Sequence, residues 1–470
     1  MPVPVIHVRN AYSKIDCDRN TIIYLDQHLS VEVPGAFFAK QYRPNWDGKW
    51  HPLNIVHQSF PTGLVERVKK IIPVCEVIDE RDRPAVIPFR KNILLDLEEL
   101  SDHQSEAVQT IFKKVNGIAA LSVGSGKTEV GIAAACHVHG LCVWLTHKRD
   151  LFHQTAERIK WRTGETAVMI GDGVWEEPTE DTKFIIVMPQ TVLKNLPEFF
   201  KQVQDAKVLV VDEAHTAAAA DSWYKVAMGI PAYFRVGLTG TPEIGDPVRE
   251  RRLEAATGEI LIRRRSSEMA KLGWVVPAEV HYHKVVNQPL FRVDWQTARR
   301  VLIEENPERN AMVVSLALDA AHNGQRCLII CDTIRHAMII AEVIKGENVR
   351  SRMLSGHNHS SDRMAAKKDL RSGALEIMIS TPIWDMGVDI PEIEVLIIAA
   401  GGKSASRFIQ RCGRALRMSP GKKVALIHDF FDTGNGYMTR HSVSRIEACR
   451  KEGFEVKGYL PVKQVARGQG

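Results

Sequence analysis

Leu121-Ser122-Val123-Gly124-Ser125-Gly126-Lys127-Thr128 follows the apolar run Gly117-Ile118-Ala119-Ala120 and precedes a segment, 129–139, of helical composition. Strand, glycine loop and helix form the setting in which a phosphate-binding loop works. Gly124 and Gly126, with Ser125 between them, let backbone N–H groups turn inward around phosphate oxygens, and the helix start adds a favourable dipole. Lys127 would place its ammonium on the β- and γ-phosphates, and the Thr128 hydroxyl would ligate Mg²⁺. The strict pattern has glycine at position 121, where this chain has leucine. Taken alone, the stretch is therefore also compatible with a plain tight turn between strand and helix, and the rest of the chain has to decide.

Downstream, strands and helices alternate, the pattern of an α/β domain with a parallel sheet. Strands are expected over 141–146, 184–188, 207–211 and 234–238, with a helix over 149–160. Three of them run into Pro189-Gln190-Thr191, Asp212-Glu213-Ala214-His215 and Thr239-Gly240-Thr241-Pro242. Ligands of such sheets bind beyond the carboxyl ends of the strands, where these polar clusters sit. Asp212 would hold Mg²⁺, which takes few carboxylates besides substrate phosphates, and Glu213 would orient and deprotonate the attacking water.

The second half repeats the rhythm, with strands expected over 327–331, 376–379 and 394–399, and helices over 333–344 and from about 404. The last helix carries Gln410-Arg411-Cys412-Gly413-Arg414-Ala415-Leu416-Arg417. Three residues apart on a helix, Arg414 and Arg417 project from neighbouring positions of one face. Paired guanidiniums of this kind can clamp a γ-phosphate as arginine fingers. This half contains no phosphate loop of its own, which fits a domain that supplies fingers to a nucleotide held elsewhere.

The 470 residues are enough for two or three domains, and 44% apolar with 25% charged residues is ordinary for a globular protein. A net charge of +6 is too mild to imply nucleic-acid binding by itself, so such a partner would meet locally basic surfaces. The eight cysteines form no C-x-x-C pair and read as reduced thiols in a cytoplasmic protein without structural zinc. Neither a signal peptide nor a membrane-spanning stretch is expected.

Residues 1–92 have a different texture. Short β-like runs at 21–25 and 31–33 lead to Phe37, Phe38, Tyr42, Trp46 and Trp50, interleaved with Arg43, Lys49 and His51. Such interleaving suits stacking on bases and neutralising phosphates, and equally suits a small core with cations outside. A short helix is expected over 64–72, and the charged run 79–91 reads as a linker. Ser101-Asp102-His103-Gln104 fits a capping box, while Gln104 could instead read an adenine edge. The basic run 249–271 reads as a solvated face with scope for phosphate contact.

Gln104, GSGKT, DEAH, TGTP, STP…GVDIP and QRCGRALR, in this order over about residues 101–430, resemble the motif set of superfamily 2 helicases. The resemblance implies two RecA-like domains closing on ATP, with a nucleic-acid strand crossing both, and it selects the adenine role for Gln104. It admits leucine at position 121. By the same resemblance, Gly387 and Asp389 face the nucleotide, Thr239 and Thr241 couple hydrolysis to closure, and Gln410 joins the arginines in the catalytic helix. Thr146, Gln190, Thr191 and Thr381 fall in motifs that touch the nucleic-acid backbone. Tyr42-Arg43-Pro44-Asn45-Trp46-Asp47-Gly48-Lys49, Phe60-Pro61-Thr62-Gly63-Leu64 and the ending from His428 to Phe454 resemble phage recombination helicases of the UvsW type. No nuclease-like carboxylate–lysine constellation accompanies the motor, which makes a restriction-enzyme motor less attractive.

The expected architecture is α/β, two tandem RecA-like parallel-sheet domains (93–275 and 276–470) preceded by a small α+β DNA-binding domain (1–92). The expected activity is ATP- and Mg²⁺-dependent translocation on forked or branched DNA by a monomer in the host cytoplasm. The alternatives are a DEAH-type RNA helicase and a nucleotide-dependent binding switch with little translocation.

Overall fold

The structure is a computed structural model and describes residues 3–39, 45–97, 99–217, 221–381 and 390–460. By its internal contacts the chain forms two compact units, one of residues 1–121 and 126–264, the other of 122–125 and 265–470.

The first unit begins with a four-stranded sheet in the order Ser59–Pro61, Tyr12–Asp16, Val5–Val8, Glu76–Asp79. Its last two members pair in parallel and the others antiparallel. The expected strand at 21–25 is instead part of the helix Arg19–Leu29. Asp18 caps it by accepting from the N–H groups of Asn20 and Thr21, and Ile22, Leu25 and Leu29 share one buried face. The cap and the helical spacing of apolar residues outweigh the β-propensity of Thr21-Ile22-Ile23-Tyr24. The short helix Val65–Ile71 completes this α+β layer.

Ion pairs and hydrogen bonds tie this layer to the rest of its unit. Arg67 donates to Glu254 at 2.8 Å, Lys70 pairs with Glu259 at 2.7 Å, and Arg251 donates to the Leu29 carbonyl at 2.6 Å. A Cβ on Gly63 would lie 2.2 Å from the Glu254 carbonyl oxygen, so only glycine permits this approach. The run 79–91 is not a free tether. Ile87 donates to the His137 carbonyl, His139 to that of Ala85, and the Arg81 guanidinium lies 4.7 Å from the Tyr233 ring centre.

The larger sheet of the unit has eight strands. Their order is Val174–Trp175, Val168–Gly171, Phe184–Val187, Leu141–Leu145, Ala206–Val211, Phe234–Thr239, Asn116–Leu121, Ile260–Arg264. Of these eight, only Val174–Trp175 runs antiparallel to its neighbour. The central strands are buried on both faces, as their unbroken β-branched and aliphatic runs require. Leu121, where the strict loop pattern has glycine, is fully buried in this core and closes its strand.

The second unit holds seven parallel strands in the order Ser351–Leu354, Ile377–Ser380, Cys327–Ile330, Val395–Ile398, Ala425–Asp432, Ala278–Val285, Glu455–Gly458. Cys327, Cys331, Cys412 and Cys449 are buried and reduced, and burial pushes their thiols far above the usual range. Among the described residues, no helix is long and apolar enough to cross a membrane.

Candidate active site

The loop leaves its strand after Leu121 and enters the helix Lys127–Cys136 through Gly126, which caps it in the left-handed region at φ +77°. Gly124 is also left-handed, at +85°. Glycine at 126 is favoured by its φ, and a Cβ there would also lie 2.2 Å from the Gln104 amide nitrogen and push that side chain aside. Inside the loop the Ser125 hydroxyl donates to the Ser122 carbonyl at 2.7 Å. Thr128 is half-buried in the first turn.

Gln104 sits in the helix Asp102–Lys114 and performs the capping task, accepting from the Ser101 N–H at 3.0 Å. Its amide nitrogen lies against Gly126. Cap and nucleotide loop thus meet in one side chain, with the carbonyl facing its own helix and the amide facing the loop.

Asp212 ends the strand Ala206–Val211, and its backbone N–H donates to the Leu145 carbonyl. Burial, reinforced by the Glu213 carboxylate, holds its carboxyl up at about 7. The Lys127 ammonium, the Glu213 N–H and the Trp144 indole oppose the shift without cancelling it. Desolvation beside a like charge therefore wins over one nearby cation, and such a carboxylate gains from a second cation. The chemistry of this donor set (carboxylate, hydroxyl and lysine at one loop) fits a Mg²⁺–nucleotide complex.

Glu213 has φ +45°, a costly conformation for a residue with a Cβ, and its N–H donates to Asp212 Oδ1 at 2.8 Å. Its carboxylate lies 3.5 Å from His215 Nδ1. His215 Nδ1 and the Thr239 hydroxyl share a hydrogen bond of 2.8 Å, and Thr239 Oγ1 accepts from the Thr241 N–H at 3.1 Å. A continuous polar path thus connects the Asp-Glu strand end with the Thr-Gly-Thr strand end.

The residues expected to touch nucleic acid occupy varied surroundings. Thr146 is buried, and its hydroxyl has no partner among the described residues. Gln190 is exposed and Thr191 half-buried on the short helix Pro189–Val192. In the second unit, Thr381 is buried after its strand. Lys49 is half-buried in the strand Lys49–Trp50. Trp50 packs edge-on to Tyr224 at 5.9 Å and against the core of the small sheet, which favours the core reading for that ring, while the half-buried Trp46 indole donates to the Lys49 carbonyl. Of the expected catalytic residues, Gln410 and Arg414 lie half-buried on the helix Ala405–Ala415. Arg417 lies beyond that helix, which is capped at Leu416, so the two arginines do not share a helical face as the spacing implied. Arg43, Gly387 and Asp389 lie outside the described residues.

The arginines of the basic run up to position 264 are largely neutralised within their own unit. Arg252 pairs with Asp221, Arg263 with Glu243 and Arg264 with Glu106. Two contributors escaped the sequence reading. Trp144 is fully buried below Asp212, and Gly131 in the loop's helix makes room for it, since a Cβ there would meet the indole at 2.7 Å. Glu129, also buried, accepts from Arg158 at 2.7 Å and anchors the same helix. A tryptophan within an apolar strand carries no local signal of this role.

Three families match in chain order. They are the N-terminal domain of DNA helicase UvsW over residues 5–77, the res subunit of type III restriction enzymes over 97–244, and the helicase conserved C-terminal domain over 308–419. The ATP-dependent DNA helicase uvsW of Enterobacteria phage T4 is 22% identical, over 94% of this chain and 96% of its own. Putative helicase 22 of Sulfolobus islandicus filamentous virus is 24% identical over 73% of this chain, which spans 66% of that relative. The S. cerevisiae Dbp5 structure bound to RNA and ADP BeF3 has a TM-score of 0.52 at 18% identity, covering 77% of this chain and 94% of its own, and shows the RecA-like fold. The chain belongs to the superfamily 2 helicases, nucleotide-using enzymes, and carries an N-terminal domain of the UvsW type.

Proposed function

We propose that this protein is an ATP-driven DNA translocase acting on forked or four-way DNA, rewinding forks and moving junctions. The observation that carries the motor chemistry is the meeting of Gln104, Gly126, Lys127, Asp212 and Glu213 around one loop. The reading divides the chain into a DNA-binding domain (1–92), an ATP-binding domain (93–275) and a second helicase domain (276–470). DNA as substrate is supported by the UvsW-type N-terminal domain and by the phage relative, an ATP-dependent DNA helicase.

In this mechanism Lys127 and the N–H groups around Gly124, Ser125 and Gly126 bind the phosphates, and Thr128 and Asp212 hold the cation. Mg²⁺, when bound, neutralises phosphate charge. Glu213 takes the proton of the attacking water, kept in place by its strained backbone and by His215. Arg414 and Arg417, with Gln410, stabilise charge that develops on the transferred phosphoryl group. Gly387 and Asp389 contact the nucleotide, while Thr146, Gln190, Thr191, Thr381, Arg43 and Lys49 serve the DNA strand.

ATP turnover measured with single-stranded, duplex, forked and four-way DNA, and with structured RNA, tests the reading. Greatest stimulation by branched DNA is expected. Greatest stimulation by RNA would replace it with RNA remodelling, and turnover indifferent to every nucleic acid would replace it with a binding switch. The N-terminal contribution is best probed by Lys49→Ala. Deleting 1–92 would strip the partners of Arg251, Glu254 and Tyr233 from the neighbouring domain.

A further inference from the structure

Within the second unit lies a cavity of about 290 Å³, lined mostly by residues outside the helicase motifs, with Arg411 of the arginine helix among its walls. It opens where the strands Cys327–Ile330 and Val395–Ile398 end, beside the helix Ala405–Ala415. Its lining combines cations with apolar groups, among them Trp295, Phe408 and Ile398.

The cations fall into two sets. Arg299, Arg411 and Arg445 have carboxylate partners, Glu304 at 2.9 Å, Asp332 at 3.0 Å and Asp429 at 2.7 Å. Lys403 and Arg407 sit at the rim, and neither side chain has an acidic partner among the described residues. The wall thus carries two uncompensated positive charges facing a preformed space. Trp295 is fixed by packing edge-on against His441, with ring centres 4.5 Å apart. Its helix, Trp295–Arg299, continues into a π-helical turn, Arg300–Glu304. Such turns are frequent at functional sites.

We propose that this cavity binds a nucleoside phosphate, with the phosphate on Lys403 and Arg407 and the apolar ring system along Trp295. Small-molecule pockets are roughly 300–1,000 Å³, so the space suits one nucleotide and excludes a folded peptide or a duplex. Guanidinium and ammonium groups pair with phosphate, and an aromatic wall takes a base face. The nucleotide is a free one in solution, and a nucleic-acid strand passing over the same rim is the alternative that the test separates.

The test uses the full chain with its phosphate loop saturated by a non-hydrolysable ATP analogue. It is titrated calorimetrically with deoxyadenosine monophosphate and, separately, with a single-stranded DNA oligonucleotide. In the parent the monophosphate binds, and Lys403→Glu combined with Arg407→Glu weakens it by about tenfold or more, as loss of charge-assisted hydrogen bonds implies. Arg407→Ala weakens it less, and Lys423→Glu, a single charge reversal away from the cavity lining, leaves it within about twofold. Binding of the monophosphate assigns a free-nucleotide site, whereas binding of the strand alone overturns it, because a strand is already expected on this protein. Affinity unchanged in the double variant, or weakened equally by Lys423→Glu, overturns the proposal. Both side chains lie at the rim and outside the core, so the double variant is expected to melt like the parent.

Discussion

The two large sheets treat buried charge in opposite ways. In the eight-stranded sheet, Asp212 is buried beside Glu213 at a strand end, and its carboxyl is held up near 7 because Lys127 compensates only part of the cost. In the seven-stranded sheet, buried charges are matched internally. Arg309 donates to Asp432 at 2.8 Å with both side chains almost fully buried, and Arg445 donates to Asp429 at 2.7 Å. Arg309 also reaches the Ala399 carbonyl, and Arg445 those of Gly402 and Phe430. One parallel-sheet scaffold thus serves two ends. The first stores electrostatic tension where a charged ligand would relieve it, and the second uses its charges to hold the ends of its strands and its C-terminal helix together.

The largest expected effect concerns the arginine helix of the second sheet. Arg414→Ala should lower ATP turnover by about 10³–10⁵ while leaving ATP affinity nearly intact, because a finger acts mainly on the transition state. Arg417→Ala, at a position past the helix end, should cost less. Steady-state kinetics with nucleotide titration checks both, and parental turnover in Arg414→Ala would remove the second sheet from the chemistry.

Next come the charges of the first sheet. Glu213→Gln should retain ATP and lose about 10²–10⁴ in turnover, the usual range for a general base. Lys127→Ala should instead weaken ATP binding itself. Equal turnover in Glu213→Gln and the parent would undo the assignment.

Stability should separate the two sheets by sign. Asp432→Asn leaves the buried Arg309 charge without its counter-ion and should cost about 3–5 kcal/mol. Asp212→Asn removes one of two crowded carboxylates and should leave the nucleotide-free protein as stable or more stable at neutral pH, while abolishing turnover. For Asp212 the folded-state value lies above the unfolded one, so its unfavourable contribution grows as pH rises from about 4 towards 7. Denaturant melts of the two variants at pH 7.5 would show it, and equal losses would mean that both aspartates are structural.

The smallest effect is expected in the histidine cluster of the seven-stranded sheet. Burial pushes His428 down to about 4, and the neighbouring His283 and His281 add to the shift while Glu279 opposes it. His428 is therefore neutral in the folded protein at a pH where the unfolded chain, near 6.5, already binds a proton. Stability should fall as pH drops from about 6.5 to 4, and His428→Gln should flatten that fall. Thermal melting across the window would reveal whether it does.

Much of this was readable along the chain. The strand before Gly124, the αβ rhythm and the polar strand ends announce themselves because each depends on a local pattern, an apolar run or a glycine with a demanded φ. The placing of Lys127 beside Asp212 agrees with that pattern too, since parallel strands bring their carboxyl ends to one edge. Other features depend on partners far away in sequence. The arginines after position 249 read as a solvated face along the chain, whereas in the fold Glu106, Asp221 and Glu243 meet them. The run 79–91 looked like a tether because nothing in it announces 137–139 as its partner. Residues 21–25 looked like a strand because β-branching is local, whereas the buried face of Ile22, Leu25 and Leu29 exists only against the small sheet. The candidate chemistry is legible along the chain, since phosphate-binding and catalytic groups follow particular strands and loops. Which charges are neutralised, which aromatic rings are core and where the cavity beside Lys403 opens follow from the fold alone, because burial and ion pairing are properties of distance in space and not of order along the chain.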